Sequence, residues 1–333
     1  GGFMLSMGSV GACALWALSG LSLYSAARFL RSSDLMRTVV DAYNRVSLPN
    51  SEVHLGPQSI SRQPHRLNGT TRIARVLLVV LYCALCVLSI FMTWWIVALP
   101  ASWRIGIFPH HKLRIQNAFE TAEKAGAPLA VPVNLVLKYE GHVAVQLLHI
   151  LPGAVWAAAI PLQLHPTLRR TFPVTHRFSG YAFFVSALMM TAGLALIDIR
   201  GLIWYEADFP GLPARQNVTM LGLDLPFGAN HMDVFRVVGL WFCITLIIAV
   251  VSARMKRFKV HERFVYRHIA AGMWVALQRL YIIVLKPVKA EAQKAAFGDG
   301  ALLGFAFTVL SAEIAIWARD ESRKDLKTGR HAD

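Results

Sequence analysis

Apolar residues in this chain gather into seven long runs, at roughly 3–30, 73–99, 142–164, 178–197, 234–253, 264–285 and 300–318. Runs of this kind approach the about 20 residues needed to cross a hydrocarbon core about 30 Å thick. The pattern predicts an all-α, polytopic transmembrane bundle of seven spans. The first run is rich in Gly, Ser and Ala, residues that also allow close helix contacts in lipid. Two polar stretches interrupt the runs. Residues 31–72 begin with a short helix capped by Ser33 (Asp34 to Val46) and turn irregular around Pro49, Gly56, Pro57 and Pro64. Residues 110–126 read as an amphipathic interfacial helix ended by Gly126. These boundaries divide the chain into an N-terminal two-span extension (1–139), a four-helix membrane module (140–287), and a final span with a charged tail (288–333).

Composition supports the same picture. The chain is 55% hydrophobic and 16% charged, with a mean hydropathy of +0.46, where a soluble protein carries about 25% charged residues. The net charge of +15 would suit nucleic acid if it formed a stripe on a soluble domain, but it does not. The basic residues sit in short segments beside apolar runs. With seven spans, 31–75, 165–177, 254–267 and 319–333 fall on one side and hold 7, 3, 6 and 5 Lys/Arg. The opposite segments 101–141, 198–233 and 286–300 hold 5, 2 and 3. The positive-inside rule then places the basic loops and the C-terminus toward the cytoplasm or mitochondrial matrix, and the N-terminus across the membrane. Membrane lipids are expected partners, with bound phospholipids, and nucleic acid is not.

All four cysteines (Cys13, Cys83, Cys86, Cys243) lie in apolar runs. The Cys83-x-x-Cys86 pair therefore reads as two small apolar thiols in a lipid-embedded helix, not as a metal or redox motif. The chain opens Gly1-Gly2 rather than with methionine, which fits a processed or truncated start, and nothing in it resembles a transit peptide.

Three stretches between about 142 and 285 carry a resemblance. They are Leu148-His149-Ile150 with Gly153 and the Pro161-Leu162-Gln163-Leu164 exit; His176-Arg177-Phe178-Ser179-Gly180-Tyr181; and His261-Glu262-Arg263-Phe264-Val265-Tyr266-Arg267-His268, continuing to Gln278-Arg279-Leu280. In order and spacing this region resembles a widespread membrane family catalogued as domain of unknown function 2306. The resemblance implies a four-helix membrane module and no particular reaction. Glu262 stands where the family is usually basic, Phe264-Val265 replaces a Trp-Met pair, and the first, second and seventh spans lie outside the likeness.

The candidate chemistry lies in ionisable side chains at or inside the spans. His165, His176, His261 and His268 belong to the basic side, and His149 and His231, with His142, to the other. A b-type haem needs two imidazoles at matching depth. At about 1.5 Å per residue, His268 lies about 6 Å inside its span and His176 about 3 Å above its own, whereas His176 and His261 agree within about 1–2 Å at headgroup level. His149 and His231 differ by about 15 Å. The alternative role for His176, His261, His268 and His149 is to cap helices and meet lipid headgroups.

Arg279 and Glu313 are charges well inside their spans, which normally face a bundle interior or cavity. Arg279 is expected to meet Asp198, Asp233 or the acidic group of a ligand, and Glu313 to meet His268, Arg267 or Arg254. Arg236 is expected to snorkel to the interface.

The P-loop, nucleophile-elbow and H-E-x-x-H signals are missing. His110-His111 lack nearby carboxylates, so no metal site is expected apart from haem iron. Of the two glycosylation sequons, at Asn68 and Asn217, only the second falls on the non-basic side.

Three functional readings follow. The first is a non-catalytic integral membrane subunit packed against other membrane subunits, such as those of a respiratory complex in the mitochondrial inner membrane. The second is a membrane redox protein binding haem b or quinone through the boundary histidines. The third is a transporter of small molecules or lipid that uses Arg279 and Glu313.

Overall fold

The computed structural model describes residues 69–98, 117, 120–122, 124–126, 132, 135, 138–139, 141–165, 168–204, 208–209, 219–220, 223–224, 231–285 and 290–328. The expected span at 3–30, the short helix at 34–46, His110-His111 and both sequon asparagines lie outside these residues. The described helices are α1 (Gly69–Ala98), α2 (Val143–Leu164), α3 (Leu168–Thr171), α4 (Pro173–Ile199), α5 (His231–Arg254), α6 (Phe258–Leu285) and α7 (Ala290–Thr328). A pair of two-residue strands, Thr219–Met220 and Leu223–Asp224, forms a small antiparallel turn. Among the described residues, six helices are long and apolar enough to cross a membrane, and they coincide with the second to seventh expected spans.

The helices run past the apolar runs that announce them. α4 begins at Pro173, using proline at its first turn where no N–H is needed. α5 begins at His231, α6 at Phe258, and α7 extends to Thr328. Hydropathy marks the part of a helix in hydrocarbon, whereas the backbone stays helical into the headgroup layer because its hydrogen bonds are internal. Of the expected amphipathic helix, residues 117, 120–122 and 124 are helical, and Gly126 ends it at φ +63°.

α1, α2, α4, α5, α6 and α7 pack in that order around a ring that closes between α7 and α1, with α6 also reaching α1. The main core is built by α2, α4, α5 and α6: Trp156, Ala157 and Ile160 meet Phe183, Ala187, Phe242, Leu246, Ile269 and Met273. A smaller cluster joins Ala74 and Leu78 of α1 to Ala315 and Ala318 of α7. Large apolar side chains such as Ile90, Phe178, Val237 and Phe307 cover the outside, as expected where lipid is the solvent.

Two glycines decide how closely the helices approach. In α2, Gln146–Ile150 form a π-helical turn, and its backbone presses on α4. A Cβ on Gly193 would lie 2.5 Å from His149 Cβ and 2.8 Å from His149 N. A Cβ on Gly272 of α6 would lie 2.5 Å from the Trp156 ring, so the missing side chain is what lets that indole reach the centre of the bundle.

Candidate functional site

At the centre, His268 is 0% exposed. Its Nδ1–H donates to the Phe242 carbonyl at 3.0 Å, with Thr245 Oγ1 at 3.4 Å. Its Nε2 accepts the Trp156 indole N–H at 3.2 Å; this tautomer is the one both partners require. The Trp156, Phe183 and Phe242 rings surround it at centroid distances of 5.8, 5.5 and 4.1 Å. His268 therefore presents no ring nitrogen to a haem iron, and the His176–His268 ligand pair does not fit the group. The depth mismatch between these two residues is a real separation: one belongs to the core and the other to the bundle end.

His149 is also engaged. Its Nδ1 lies 3.2 Å from the Met190 carbonyl, tying the π-turn of α2 to α4. His231 is the first residue of α5. His142 Nδ1 faces Arg200 at 3.4 Å, and His165 Nδ1 accepts the Leu168 N–H at 3.2 Å.

The basic end collects the start of α1, the end of α2, α3, the start of α4, the end of α5, the start of α6 and the end of α7. Here α6 and α7 are joined by paired charges. Arg267 binds Glu313 through two bonds of 2.7 and 3.0 Å. Glu262 is held by Arg319 at 2.9 Å and by Arg323. Asp320 is held by Arg263 and by Lys259 at 3.5 Å. Glu313 thus takes Arg267 from its three expected partners. The other histidine pair, His176 and His261, sits at this end, with the two rings close enough to interact electrostatically. His261 Nδ1 donates to the Ala249 carbonyl at 2.9 Å. Gln163 holds the turn carrying His176 by donating to its carbonyl at 2.9 Å and to Ser179.

At the opposite end the expectation that Arg279 meets Asp198 or Asp233 is corrected. Asp198 and Asp233 are both bound by Arg236, at 3.0 and 3.3 Å. Arg236 is half exposed, so its snorkelling has a specific target. Arg279 instead lies over the Phe297 ring at 5.4 Å, a cation–π contact, because α6 turns it toward α7 and away from α4. Phe297 belongs to an aromatic cluster with Trp204 and Phe209, and Trp204 in turn meets Phe235. Phe235 stacks on Trp274 at 5.3 Å. Beside this cluster is a partly open apolar cleft lined by residues including Val234, Val238, Leu302 and Phe305.

Lys138, just before α2, pairs with Asp208 and donates to the Ile203 carbonyl at 2.9 Å. The two side chains are only 9% and 11% exposed. Burial pulls the Lys138 ammonium below its usual range, and Asp208 opposes that shift. The neighbouring Tyr139 phenol is pushed up by burial.

Sequence reasoning missed Trp156 as the partner of His268 and the Lys138–Asp208 pair. Neither has a local signature, since the partners are 112 and 70 residues apart. Cys83, Cys86 and Cys243 are free thiols, and no cluster of three metal-binding side chains exists among the described residues.

No family model matches the chain, and neither a curated protein nor a solved structure matches it. What the fold defines is a class: an all-helical integral membrane protein.

Proposed function

We propose that this protein is a non-catalytic integral membrane subunit that packs against a larger membrane assembly. The observation that carries the reading is the use made of the ionisable groups inside the bundle. His268 has both ring nitrogens bonded to neighbouring helices, His149 ties α2 to α4, and Glu313 ties α7 to α6. The groups best suited to chemistry hold helices together, as expected of a scaffold.

The uneven Lys/Arg distribution supports a basic end turned to the cytoplasm or matrix. The resemblance over about 142–285 supports a four-helix module with flanking spans added, and an inner mitochondrial membrane with a respiratory assembly is the setting we put forward. The test is native electrophoresis of the tagged protein after mild detergent extraction. Co-migration with other subunits is the expected result, and a monomer free of partners sinks the reading.

The redox alternative that we keep is His176 with His261, whose Nε2 atoms carry no hydrogen bond among the described residues. A Soret band in the purified protein, oxidised or reduced, would select it over the scaffold.

A further inference from the structure

On α5, Val237, Ile244, Ile247 and Val251 are exposed at helical spacing, which puts them on one face turned to the outside of the bundle. The stripe does not stop where the helix ends. Met255 and Phe258, in the turn that joins α5 to α6, are exposed apolar residues at its next two positions. The helix rises about 27 Å from Val237 to Met255, against about 30 Å for a hydrocarbon core. The turn therefore lies where the acyl chains of the basic leaflet give way to headgroups.

The rest of the turn is cationic. Arg254, Lys256 and Arg257 are exposed and alternate with the apolar pair along the chain. Among the described residues no carboxylate pairs with them. Glu262 binds Arg319 and Arg323, Glu313 binds Arg267, and Asp320 binds Arg263 and Lys259. Glu321 of α7 is engaged too, and not with these three. The backbone adds an independent observation. The Lys256 N–H donates to the Ala253 carbonyl at 3.0 Å and the Arg257 N–H to the Ser252 carbonyl at 2.8 Å, the Schellman ending of a helix. Its left-handed position, φ 59°, falls on Lys256, where glycine is the usual residue because a Cβ is strained there. A strained lysine in an exposed turn is an outlier of the kind found where a side chain has a use.

We propose that the α5–α6 turn binds an anionic phospholipid of the basic leaflet. Arg254, Lys256 and Arg257 take the headgroup phosphate, and Met255 and Phe258 lie against the acyl chains. The stripe points to lipid as the partner, since it continues the outer face of α5 to the depth of the leaflet boundary. The unpaired charge points to an anionic headgroup, because a zwitterionic one carries its own ammonium beside the phosphate. Lys256 supplies a cation at the one position of the turn where glycine would fit without strain.

The experiment uses the full chain purified in detergent. Phosphatidylglycerol or phosphatidylcholine is titrated in, retained lipid is counted by native mass spectrometry, and the unfolding midpoint is measured without lipid. Phosphatidylglycerol should be retained in preference to phosphatidylcholine. Lys256→Gly should raise the midpoint, because the left-handed residue is relieved of strain, and yet weaken phosphatidylglycerol retention about fivefold, the contribution of one cation at an anionic leaflet. A turn with a structural role alone does not lose lipid while gaining stability. Arg257→Gln, which leaves the left-handed residue in place, should weaken retention to a similar extent. Arg72→Gln, at an exposed arginine of α1 at the same end, should leave retention unchanged. No preference for phosphatidylglycerol, unchanged retention in Lys256→Gly, or equal weakening by Arg72→Gln overturns the proposal. Loss of a co-extracted protein from Lys256→Gly with its lipid retained also overturns it, and assigns the turn to an acidic protein partner.

Discussion

His268 is enclosed by three aromatic rings and held by two helices, and the smallest change that tests this arrangement is at its partner. Trp156→Phe keeps the stack on Phe183, whose centroid lies 5.6 Å away, but removes the indole N–H and leaves His268 Nε2 buried without a donor. The expected loss is about 1–3 kcal/mol, read as a lower unfolding midpoint of the detergent-solubilised protein. An unchanged midpoint would mean the bond contributes nothing. Glycines give a sharper pair. Gly193→Ala forces a Cβ to 2.5 Å from His149 Cβ, whereas Gly239→Ala meets only Leu194 Cδ1 at 3.9 Å. The first should destabilise strongly and the second should be neutral or gain about 0.5–1 kcal/mol from reduced chain entropy. Equal effects would contradict the close approach of α2 and α4. At this scale the sequence said least. It showed that His268 was inside a span, yet a depth along one helix carries no information about which rings other helices bring to it.

Helices are the level at which the sequence was most informative, because an apolar run of bilayer length has few competing explanations. Its limit lay at the ends. The runs at 264–285 and 300–318 gave no sign that α6 and α7 continue together beyond them, since Lys259, Glu262, Arg263, Arg319, Asp320 and Arg323 read one at a time as polar loop. Paired, they form an antiparallel seam. Glu262 is the clearest member: it is 15% exposed between two guanidinium groups. Glu262→Gln therefore removes the carboxylate charge that the Arg319 and Arg323 guanidinium groups share and should cost about 1–3 kcal/mol. Glu313→Gln removes a pair that is 45% exposed on its acidic side and should cost about 0–1 kcal/mol. Thermal unfolding of both variants tests the order, and a reversed order would show that the seam is held from the Arg267 side.

For the whole molecule, the arrangement of charge relative to the bundle makes an orientation testable. In sealed vesicles or mitoplasts, a protease acting from the non-basic side should leave a C-terminal epitope on residue 333 intact. Its loss before lysis would reverse the topology. The main core is shared by α2, α4, α5 and α6, with α1 and α7 against its outside; hydropathy alone could not rank the spans this way, because lipid-facing and core-facing helices are equally apolar. Only the spacing of small residues and the positions of Trp156, His268 and Gln278 hold that information, and they become readable once neighbours are known. The same holds for Arg279: its span placed it near the acidic end, but the side of the helix it occupies turned it to Phe297 and left Asp198 and Asp233 to Arg236.

The π-helical turn at Gln146–Ile150 has a consequence for how this protein can vary. Such a turn stores one surplus residue without altering the rotational phase of the helix on either side. Deleting the outward-facing Leu147 should restore a plain α-turn and leave Trp156 aimed at His268. Deleting the equally exposed Ala158, in the regular part of α2, rotates everything after it by about 100°, carrying Ile160 out of the core and Gln163 off the turn of His176. α2 therefore has one point at which its length can change by a residue while its faces keep their neighbours, and a length variant should survive there and nowhere else along the helix.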